Sequence, residues 1–382
     1  MYTFVTLLLI IVILIGFIPI DKVSKITSVT LLVFLWITMA ANVDNPDYYN
    51  YLRGYNYLNE MKGSEWGYYL LTKFCSSMGL GYNQFKFVLS GIGLFLIHGT
   101  VRKYLKSYSL FYIMYFLCPF MIDVTQLRNF IAMAFFIYAV PYLTEETIQG
   151  KVKYILLIIL GASFQVTAFI YLPIVFLGNV NKNKMIKFIL SVVAVVSVII
   201  GLNRGFVLKL ITLFSSAFGS YDDRILEFSN VSTRYGFLIY WGLQMITFFL
   251  IRWAKQAYEQ NAKVALSNGV KEQKEHKLIN LVETINTYAF LFLPFYVVQL
   301  TYGRFMRNLL PLNFIVLIVA YKKNIIERGK ITLQGILILL ALIVYVVINF
   351  YFMIFMEYKD TIVGPLFSGN WFFNMNWSEW FN

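Results

Sequence analysis

The chain has 382 residues, of which 59% are hydrophobic and 13% are charged, and its formal net charge is +13. Soluble domains carry about 25% charged residues, so a water-soluble globule of this size is excluded. The chain has only 2 cysteines and 8 prolines, which excludes a disulfide scaffold and a proline-rich disordered chain. The class that remains is an integral membrane protein.

Continuous apolar runs along the chain are long enough to cross a bilayer, which takes about 20 residues for a hydrocarbon core of about 30 Å. They are too continuously apolar for the alternating strands, about 10 residues long, of a membrane β-barrel. The predicted fold class is therefore an all-α, polytopic integral membrane helical bundle with an outer-face cavity and about 11–12 membrane segments, including short or re-entrant helices. In chain order the runs are Val5–Ile20, Ile26–Ala41, Phe85–Gly99, Leu110–Ile122, Gln126–Leu143, Tyr154–Leu177, Ile186–Gly201, Phe237–Trp253, Leu278–Gln299, Phe305–Tyr321 and Ile331–Phe355.

Lysine-rich segments between these runs predict the orientation, because basic residues collect on the cytoplasmic side of a membrane. The segments are Lys22/Lys25, Arg102/Lys103/Lys106, Lys151/Lys153, Lys182/Lys184/Lys187, Lys255–Lys277 and Lys322/Lys323/Lys330. We expect one transmembrane domain over residues 1–382, with outer loops at about 43–84 and 203–234 and an outer tail at 356–382. Residues 255–277 are polar without an apolar periodicity, and we interpret them as a solvated cytoplasmic linker. Val5–Ile20 has no basic segment before it and is interpreted as a retained helix with the N-terminus outside.

The run Tyr154–Leu177 conflicts with this orientation, since as a single span it places the clusters at Lys151 and Lys182 on opposite faces. A break near Ser163-Phe-Gln-Val removes the conflict and gives two half-length helices that enter the membrane and return, with Gln165 at the tip. Non-helical backbone at that depth is tolerated only when it is buried in protein or lines a wet cavity. A single tilted helix that violates the charge rule is the alternative.

Most arginines lie in predicted outer or intramembrane segments, whereas the lysine-rich segments are predicted to be cytoplasmic. A topology signal does not require this, because either basic residue serves it, whereas arginine presents a planar, permanently charged fork that binds phosphate through two hydrogen bonds. The arrangement therefore predicts an anionic ligand on the outer side. The outer or intramembrane arginines are Arg53, Arg128, Arg204, Arg224, Arg234, Arg304 and Arg307.

Arg128 is the clearest of these residues, because it lies within an apolar hairpin after Asp123. An ionisable group at that depth costs several kcal/mol and is by default a functional candidate. The structural alternative is an ion pair of Arg128 with Asp123 or Glu65 that only holds helices together.

Arg304 and Arg307 are three positions apart and are expected to project from one helix face. Arg234 begins a predicted span. For these three arginines, the alternative to ligand binding is that their side chains simply extend to the membrane interface.

The first outer loop combines acids with aromatic residues, in Asp44-Asn-Pro-Asp47-Tyr48-Tyr49-Asn-Tyr51 and then Glu65-Trp66-Gly-Tyr68-Tyr69. Aromatic faces beside acids and amides are a common way to hold sugars. An aromatic belt at the membrane surface is the alternative, although it does not explain the acids. Asp44 and Glu65 are the candidates for a general base.

The sequence contains few other residues that could act in catalysis or bind a metal. Both histidines, His98 and His276, are predicted at or near the cytoplasmic side, and Cys75 and Cys118 have no CxxC spacing. No nucleotide-binding or zinc-protease motif occurs. We therefore predict no cofactor, no metal and no nucleic-acid partner.

The motifs Asp-x-x-Asp-Tyr-x-x-Tyr, Glu-x-Gly-Tyr, Leu-Arg-x-x-Ile-Ala-x-Ala, Ala-Ser-Phe-x-x-Thr-Ala-x-x-Tyr-Leu-Pro and Arg-Phe-x-Arg-x-x-x-Pro follow one another along the chain. In this order they resemble the EpsG-like branch of bacterial capsule and exopolysaccharide polymerases, which are related to the Wzy O-antigen polymerases. The resemblance implies an enzyme of the bacterial plasma membrane with an active site that faces outside. Such an enzyme moves the growing glycan from its undecaprenyl diphosphate to the non-reducing sugar of the next lipid-linked repeat unit.

The resemblance also suggests roles for individual residues. Relatives commonly have histidine where this chain has Gln165; because an amide cannot act as a base, the base is expected to be Asp44 or Glu65. We expect inversion at the anomeric carbon by single displacement. The assignments are Asp44, Glu65 and Arg128 as catalytic; Arg128, Arg234, Arg304 and Arg307 on the diphosphate; and Asp47, Tyr48, Tyr51, Trp66, Tyr68 and Gln165 on sugars.

The expected partners are the undecaprenyl-diphosphate-linked oligosaccharide donor and acceptor and membrane lipid, with a flippase and a chain-length regulator as candidate protein partners. One alternative is a ligase-like glycosyltransferase with the same donor and another acceptor. Another is a flippase or secondary transporter of the same lipid-linked sugar. A membrane O-acyltransferase is the least favoured, since it usually needs a histidine.

Overall fold

The computed structural model describes residues 21–58, 65–182, 184–209, 236–262, 270–298, 300–327 and 330–381. These residues form a polytopic helical membrane protein, which confirms the predicted fold class. The predicted first helix, Val5–Ile20, and Arg234 lie outside the described residues.

Helices account for most of the described chain. The α-helices that we label are α1 Asp21–Ala41, α2 Tyr48–Asn56, α3 Trp66–Ser77, α4 Tyr82–Tyr104, α5 Ser109–Tyr115, α6 Leu127–Leu143, α7 Ile148–Phe164, α8 Lys184–Gly201, α9 Phe237–Ala262, α10 Val270–Tyr288, α11 Leu293–Val298, α12 Arg304–Arg307, α13 Leu310–Asn324 and α14 Leu333–Phe350. A 3-10 helix at Val166–Lys182 follows α7, and π-helical turns at Phe116–Phe120 and Tyr351–Phe355 follow α5 and α14. Two short strands, β1 Ile326–Glu327 and β2 Lys330–Ile331, pair antiparallel.

Within the described residues, 5 helices are long and apolar enough to cross a membrane. They are Tyr82–Tyr104, Phe237–Asn261, Gln273–Val298, Arg304–Asn324 and Leu333–Ser368. Shorter apolar helices cover Ile26–Ala41, Ser109–Asp123, Leu127–Leu143, Val166–Gly178 and Phe188–Gly201. Each predicted run from the second onward therefore corresponds to an observed apolar helix or hairpin.

The chain divides into two compact units, one of residues Met1–Val175 with Leu317–Asn382 and one of Phe176–Val316. The expectation of a single transmembrane domain stays a prediction. In the first unit, small residues allow neighbouring helices to approach closely, as is usual in membranes. A Cβ at Gly161 of α7 would lie 3.2 Å from the Ala132 carbonyl oxygen of α6, and a Cβ at Gly93 of α4 would overlap the Phe130 ring.

The predicted break near Gln165 is confirmed. Helix α7 ends at Phe164, and Gln165 is extended at φ −148° and ψ 110°. Tyr154 Oη then donates a hydrogen bond of 2.6 Å to the Tyr171 carbonyl oxygen. In a straight helix these residues would lie about 25 Å apart along the axis, so the chain folds back at Gln165, and the alternative of a single tilted helix is wrong.

Lysine-rich segments of the first unit meet at one end of its helices. The Lys103 and Lys153 ammonium groups lie 4.6 and 5.4 Å from the centre of the Tyr142 ring. Lys322 Nζ donates a hydrogen bond of 3.1 Å to the Ser107 carbonyl oxygen. The grouping is the one expected from the sequence, and the cytoplasmic location of this end stays a prediction.

In the second unit, the segment predicted as a solvated linker at 255–277 is helical over most of its length. Helix α9 continues to Ala262 and α10 begins at Val270. Lys255 Nζ lies 2.6 Å from Glu283 Oε2, and His276 Nε2 lies 3.0 Å from Glu259 Oε1. The described residues of this segment are therefore helical and joined by ion pairs between α9 and α10, and the cytoplasmic location of the segment stays a prediction.

Candidate functional site

The first loop, between α1 and α4, forms two short helices that carry most of the predicted sugar-binding residues. On α2, residues three and four apart share a face, so Tyr48, Tyr51 and Tyr55 project in similar directions. The Tyr48 ring lies 5.5 Å from that of Tyr82, and the Tyr55 ring 5.3 Å from that of Phe85. Helix α2 is therefore held on the first turns of α4 by contacts between tilted aromatic rings.

Helix α3 packs against the tip of the hairpin formed by α7 and the following 3-10 helix. A Cβ at Gly67 would overlap Ser163 Oγ, so this approach requires a residue without a side chain. Ser163 lies two positions before Gln165, which is half-buried. The contact brings the Glu65–Tyr68 segment next to the tip, although the two are far apart in sequence.

Arg128 lies in the first turn of α6, where the helix dipole disfavours a positive charge. Its guanidinium Nη1 forms an ion pair with Glu65 Oε2. The guanidinium carbon lies 5.3 Å from the centre of the Tyr51 ring and 5.8 Å from that of Tyr68. Arg128 also donates a hydrogen bond to the Tyr51 side chain. We call Tyr51, Glu65, Tyr68 and Arg128 the arginine cluster.

The arginine cluster retains unused hydrogen-bonding capacity. Arg128 Nε and Tyr68 Oη are buried atoms without a hydrogen-bond partner in the described part of the chain. A guanidinium has five N–H donors, so one carboxylate and one phenol do not exhaust it. Leaving a buried polar atom without a partner costs about 1–3 kcal/mol. Since the Arg128 side chain is also 38% exposed, an anion can approach it.

Of the two ion pairs considered as a structural alternative for Arg128, the structure contains the one with Glu65. The Asp123 carboxylate instead accepts a hydrogen bond of 2.9 Å from Tyr115 Oη. The Arg128–Glu65 pair thus joins the first loop to α6. It also orients the guanidinium beside the neighbouring rings of Tyr51 and Tyr68, so the structural role does not remove the ligand-binding capacity.

Asp44 and Asp47 lie in the turn between α1 and α2. Asp44 is exposed, and its Cβ packs so closely on Gly369 of the C-terminal tail that a Cβ there would overlap it. Asp47 occupies the N-cap position of α2 without a side-chain capping bond. Among the described residues, no contact between Asp44 and Arg128 is found, whereas Glu65 contacts Arg128 directly.

The remaining predicted sugar ligands differ in exposure. Trp66, at the start of α3, presents a largely exposed ring, while Tyr48 is buried and donates a hydrogen bond of 3.3 Å to Asn83 Oδ1. Tyr68 is 2% exposed. Trp66 and the half-buried Gln165 are therefore the more accessible of these four side chains.

Lys86 was missed by the sequence analysis. It lies on α4 and is 1% exposed, and its Nζ donates a hydrogen bond to the Asn42 carbonyl oxygen. The ammonium group lies 4.9 Å from the centre of the Tyr48 ring and 5.7 Å from that of Tyr82. A lysine close to the start of an apolar span is the sequence signal for this residue.

Arg304 and Arg307 belong to the second unit, where they begin and end the short helix α12. Arg307 is buried and Arg304 is half-buried. The preceding Gly303 contacts the Tyr240 ring so closely that a Cβ would overlap it. Their shared role with Arg128 on one diphosphate stays a prediction, as does the role of Arg234.

Potential metal ligands are dispersed in the described residues, where no group of three or more histidine, cysteine, aspartate or glutamate side chains is placed to hold a metal ion. Cys75 and Cys118 are both buried. The chemistry that this part of the structure offers is that of arginine, carboxylate and tyrosine.

The sequence model of the EpsG family matches residues 25–361, which include the arginine cluster, Gln165, Arg304 and Arg307. No curated protein and no solved structure matches the chain. Because the match extends over most of its length, the chain belongs to the EpsG family, a family of Wzy-like polysaccharide polymerases.

Proposed function

We propose that this protein is a glycosyltransferase that polymerises undecaprenyl-diphosphate-linked oligosaccharide units into a surface polysaccharide at the outer face of the plasma membrane. Family membership supports the polymerase activity. The observation that carries the chemical proposal is the Arg128 guanidinium, which lies beside the rings of Tyr51 and Tyr68 and has an unpartnered Nε in the described part of the chain.

The leaving group is a lipid diphosphate. As the bond between the anomeric carbon and the diphosphate oxygen breaks, its electron pair goes to that oxygen. A preorganised guanidinium stabilises the developing charge. Arg128 takes this role in the proposal, and Arg304, Arg307 and Arg234 supply further charge to the diphosphate.

Glu65 is the preferred general base because it already contacts Arg128. The diphosphate replaces the Glu65 carboxylate on the guanidinium, and the released carboxylate accepts the proton of the acceptor hydroxyl. The acceptor oxygen then attacks the anomeric carbon from the face opposite the diphosphate, which inverts the configuration there. Asp44 is the second candidate, since it is exposed in the same loop.

Sugar residues next to the reacting bond are assigned to Trp66, Tyr51, Tyr68 and Gln165. Trp66 offers a largely exposed ring, and the Gln165 amide both donates and accepts hydrogen bonds. Asp47 and Tyr48, in the same loop as Trp66, are also assigned to sugar binding.

Reconstitution tests the proposed activity. Purified protein in liposomes is supplied with lipid-linked repeat units, without nucleotide sugar and in EDTA, and the products are separated by gel electrophoresis. A ladder of increasing length is expected. Strict dependence on a divalent metal would contradict the arginine mechanism.

The same assay separates the alternatives. Movement of the lipid-linked unit across the bilayer without bond formation indicates a flippase or transporter. Transfer of one glycan to a different acceptor, without a ladder, indicates a ligase-like enzyme.

A further inference from the structure

A second recess in the first unit is not explained by the arginine cluster. This cleft of about 680 Å³ opens between α2, the turn that joins α3 to α4, and the C-terminal tail at 365–381. Its volume is within the range of about 300–1,000 Å³ that is usual for small-molecule sites. Residues in its wall include Tyr48, Tyr49, Tyr55, Tyr82, Ser76 and Glu379.

The floor of the cleft is made of fixed aromatic rings. The Tyr55 hydroxyl donates a hydrogen bond of 2.6 Å to the Leu80 carbonyl oxygen, and the buried Lys86 ammonium lies against the rings of Tyr48 and Tyr82. Tyr49 is different, because its ring is 73% exposed and meets that of Tyr48 edge to face at 5.4 Å. The cleft therefore presents an accessible ring above a rigid base, an arrangement suited to stacking on the C–H face of a sugar.

The C-terminal tail contributes Glu379 to the wall of the cleft and is tied to the start of α4. Asn83 Nδ2 donates a hydrogen bond of 2.6 Å to the Glu379 carbonyl oxygen, and the Trp380 ring lies 5.5 Å from that of Phe87. The tail also pairs with the end of α1, where the Val43 amide donates to the Gly369 carbonyl oxygen at 2.7 Å. These contacts fix the backbone that carries the Glu379 side chain.

This wall is not part of the family match. The match ends at residue 361, whereas the tail that supplies Glu379 begins after it. The arginine cluster lies inside the match. The chain thus combines a reaction site from the family region with a cleft that is completed by a segment outside it.

We propose that this cleft binds sugar residues of the glycan substrate and that the tail, through Glu379, selects which sugars fit. The proposal rests on the proposed function for the identity of the glycan as substrate. Tyr48 in the cleft and Tyr51 in the arginine cluster lie one turn apart on α2, about 5 Å along the helix axis. A carboxylate accepts hydrogen bonds from hydroxyl and acetamido groups and repels other carboxylates, so the cleft is specific for neutral or amino sugars and rejects uronic acids.

Binding measurements on the full-length protein in nanodiscs test this specificity. The probes are neutral oligosaccharides from partial hydrolysis of the producing strain's own polysaccharide, with oligogalacturonate as the acidic comparison. Isothermal titration calorimetry is expected to give a Kd that is about tenfold higher for Tyr49→Ala and for Glu379→Gln than for the unchanged protein. Tyr57→Ala, which removes another exposed tyrosine just beyond α2 that does not line the cleft, is expected to leave Kd unchanged. The ratio of the Kd for oligogalacturonate to the Kd for the neutral probes is also expected to be smaller for Glu379→Gln than for the unchanged protein.

The proposal would be overturned if the unchanged protein and both cleft variants had equal Kd values and unchanged unfolding temperatures. It would also be overturned if the unchanged protein bound none of the probes or preferred oligogalacturonate. Binding is measured without polymerisation, so the cleft proposal and the polymerase proposal are scored by separate readouts. If the protein forms a ladder but the cleft variants bind normally, the cleft proposal fails alone. If the cleft variants lose binding but no ladder forms, the polymerase proposal fails alone.

Discussion

The Arg128 guanidinium and the Glu65 carboxylate, 63 positions apart in the chain, form an ion pair between the first turn of α6 and the residue before α3. The pair has two consequences. It holds the first loop against the helical core, and it places a guanidinium beside the neighbouring rings of Tyr51 and Tyr68. The mutations that follow separate these two roles.

We expect Arg128→Lys to retain the fold and lose polymerisation by about 10²–10³-fold. Lysine keeps the charge opposite Glu65 but lacks the planar fork that binds a diphosphate, and removing one stabilising donor from a transition state typically has an effect of this size. Ladder formation in liposomes measures the loss. Arg102→Lys, at the lysine-rich end, is the control. Near-normal polymer from Arg128→Lys would mean that Arg128 is structural.

Glu65→Gln and Asp44→Asn distinguish the two candidate bases. Each change removes a carboxylate while keeping the shape of the side chain. Because Glu65 contacts Arg128, we expect Glu65→Gln to lower the polymerisation rate by about 10²-fold or more and Asp44→Asn to lower it much less. A larger loss for Asp44→Asn would reassign the base to Asp44.

Gly67→Ala tests the contact between α3 and the hairpin tip. The added Cβ overlaps Ser163 Oγ, so we expect a loss of about 1–3 kcal/mol in stability, measured as a lower unfolding temperature in detergent. Ser163→Gly in the same chain is expected to restore part of that loss. Gly242→Ala is the matched control, because a Cβ there has no contact within 4 Å among the described residues beyond its chain neighbours and its own helix backbone. Equal stability of the Gly67 and Gly242 variants would contradict the contact.

The orientation is testable with single cysteines, since Cys75 and Cys118 are buried. Tyr49 is exposed near the arginine cluster and Glu145 is exposed near the lysine-rich end. We expect an impermeant maleimide added to intact cells to label Tyr49→Cys and not Glu145→Cys. In permeabilised cells both should react. Labelling of Glu145→Cys alone in intact cells would reverse the orientation and remove the outer active site.

Local sequence properties were sufficient for part of this protein. The length and continuity of apolar runs such as Ile26–Ala41 determined the membrane class, because each helix satisfies its own backbone hydrogen bonds in lipid. The charge conflict around Lys151 and Lys182 predicted the break at Gln165, which the Tyr154–Tyr171 hydrogen bond confirms. An arginine in an apolar segment was enough to single out Arg128.

Only the tertiary structure determined which charged side chains pair with each other. The sequence left Asp123 and Glu65 open as partners of Arg128, and neighbours in sequence gave no basis for preferring Glu65. The polarity of 255–277 predicted a linker, although Lys255 and Glu283 allow two helices to continue by pairing their charges. The amino-acid sequence shows which groups need a partner. The free energy of a buried charge, however, depends on which distant group the packed helices bring within a few ångströms of it.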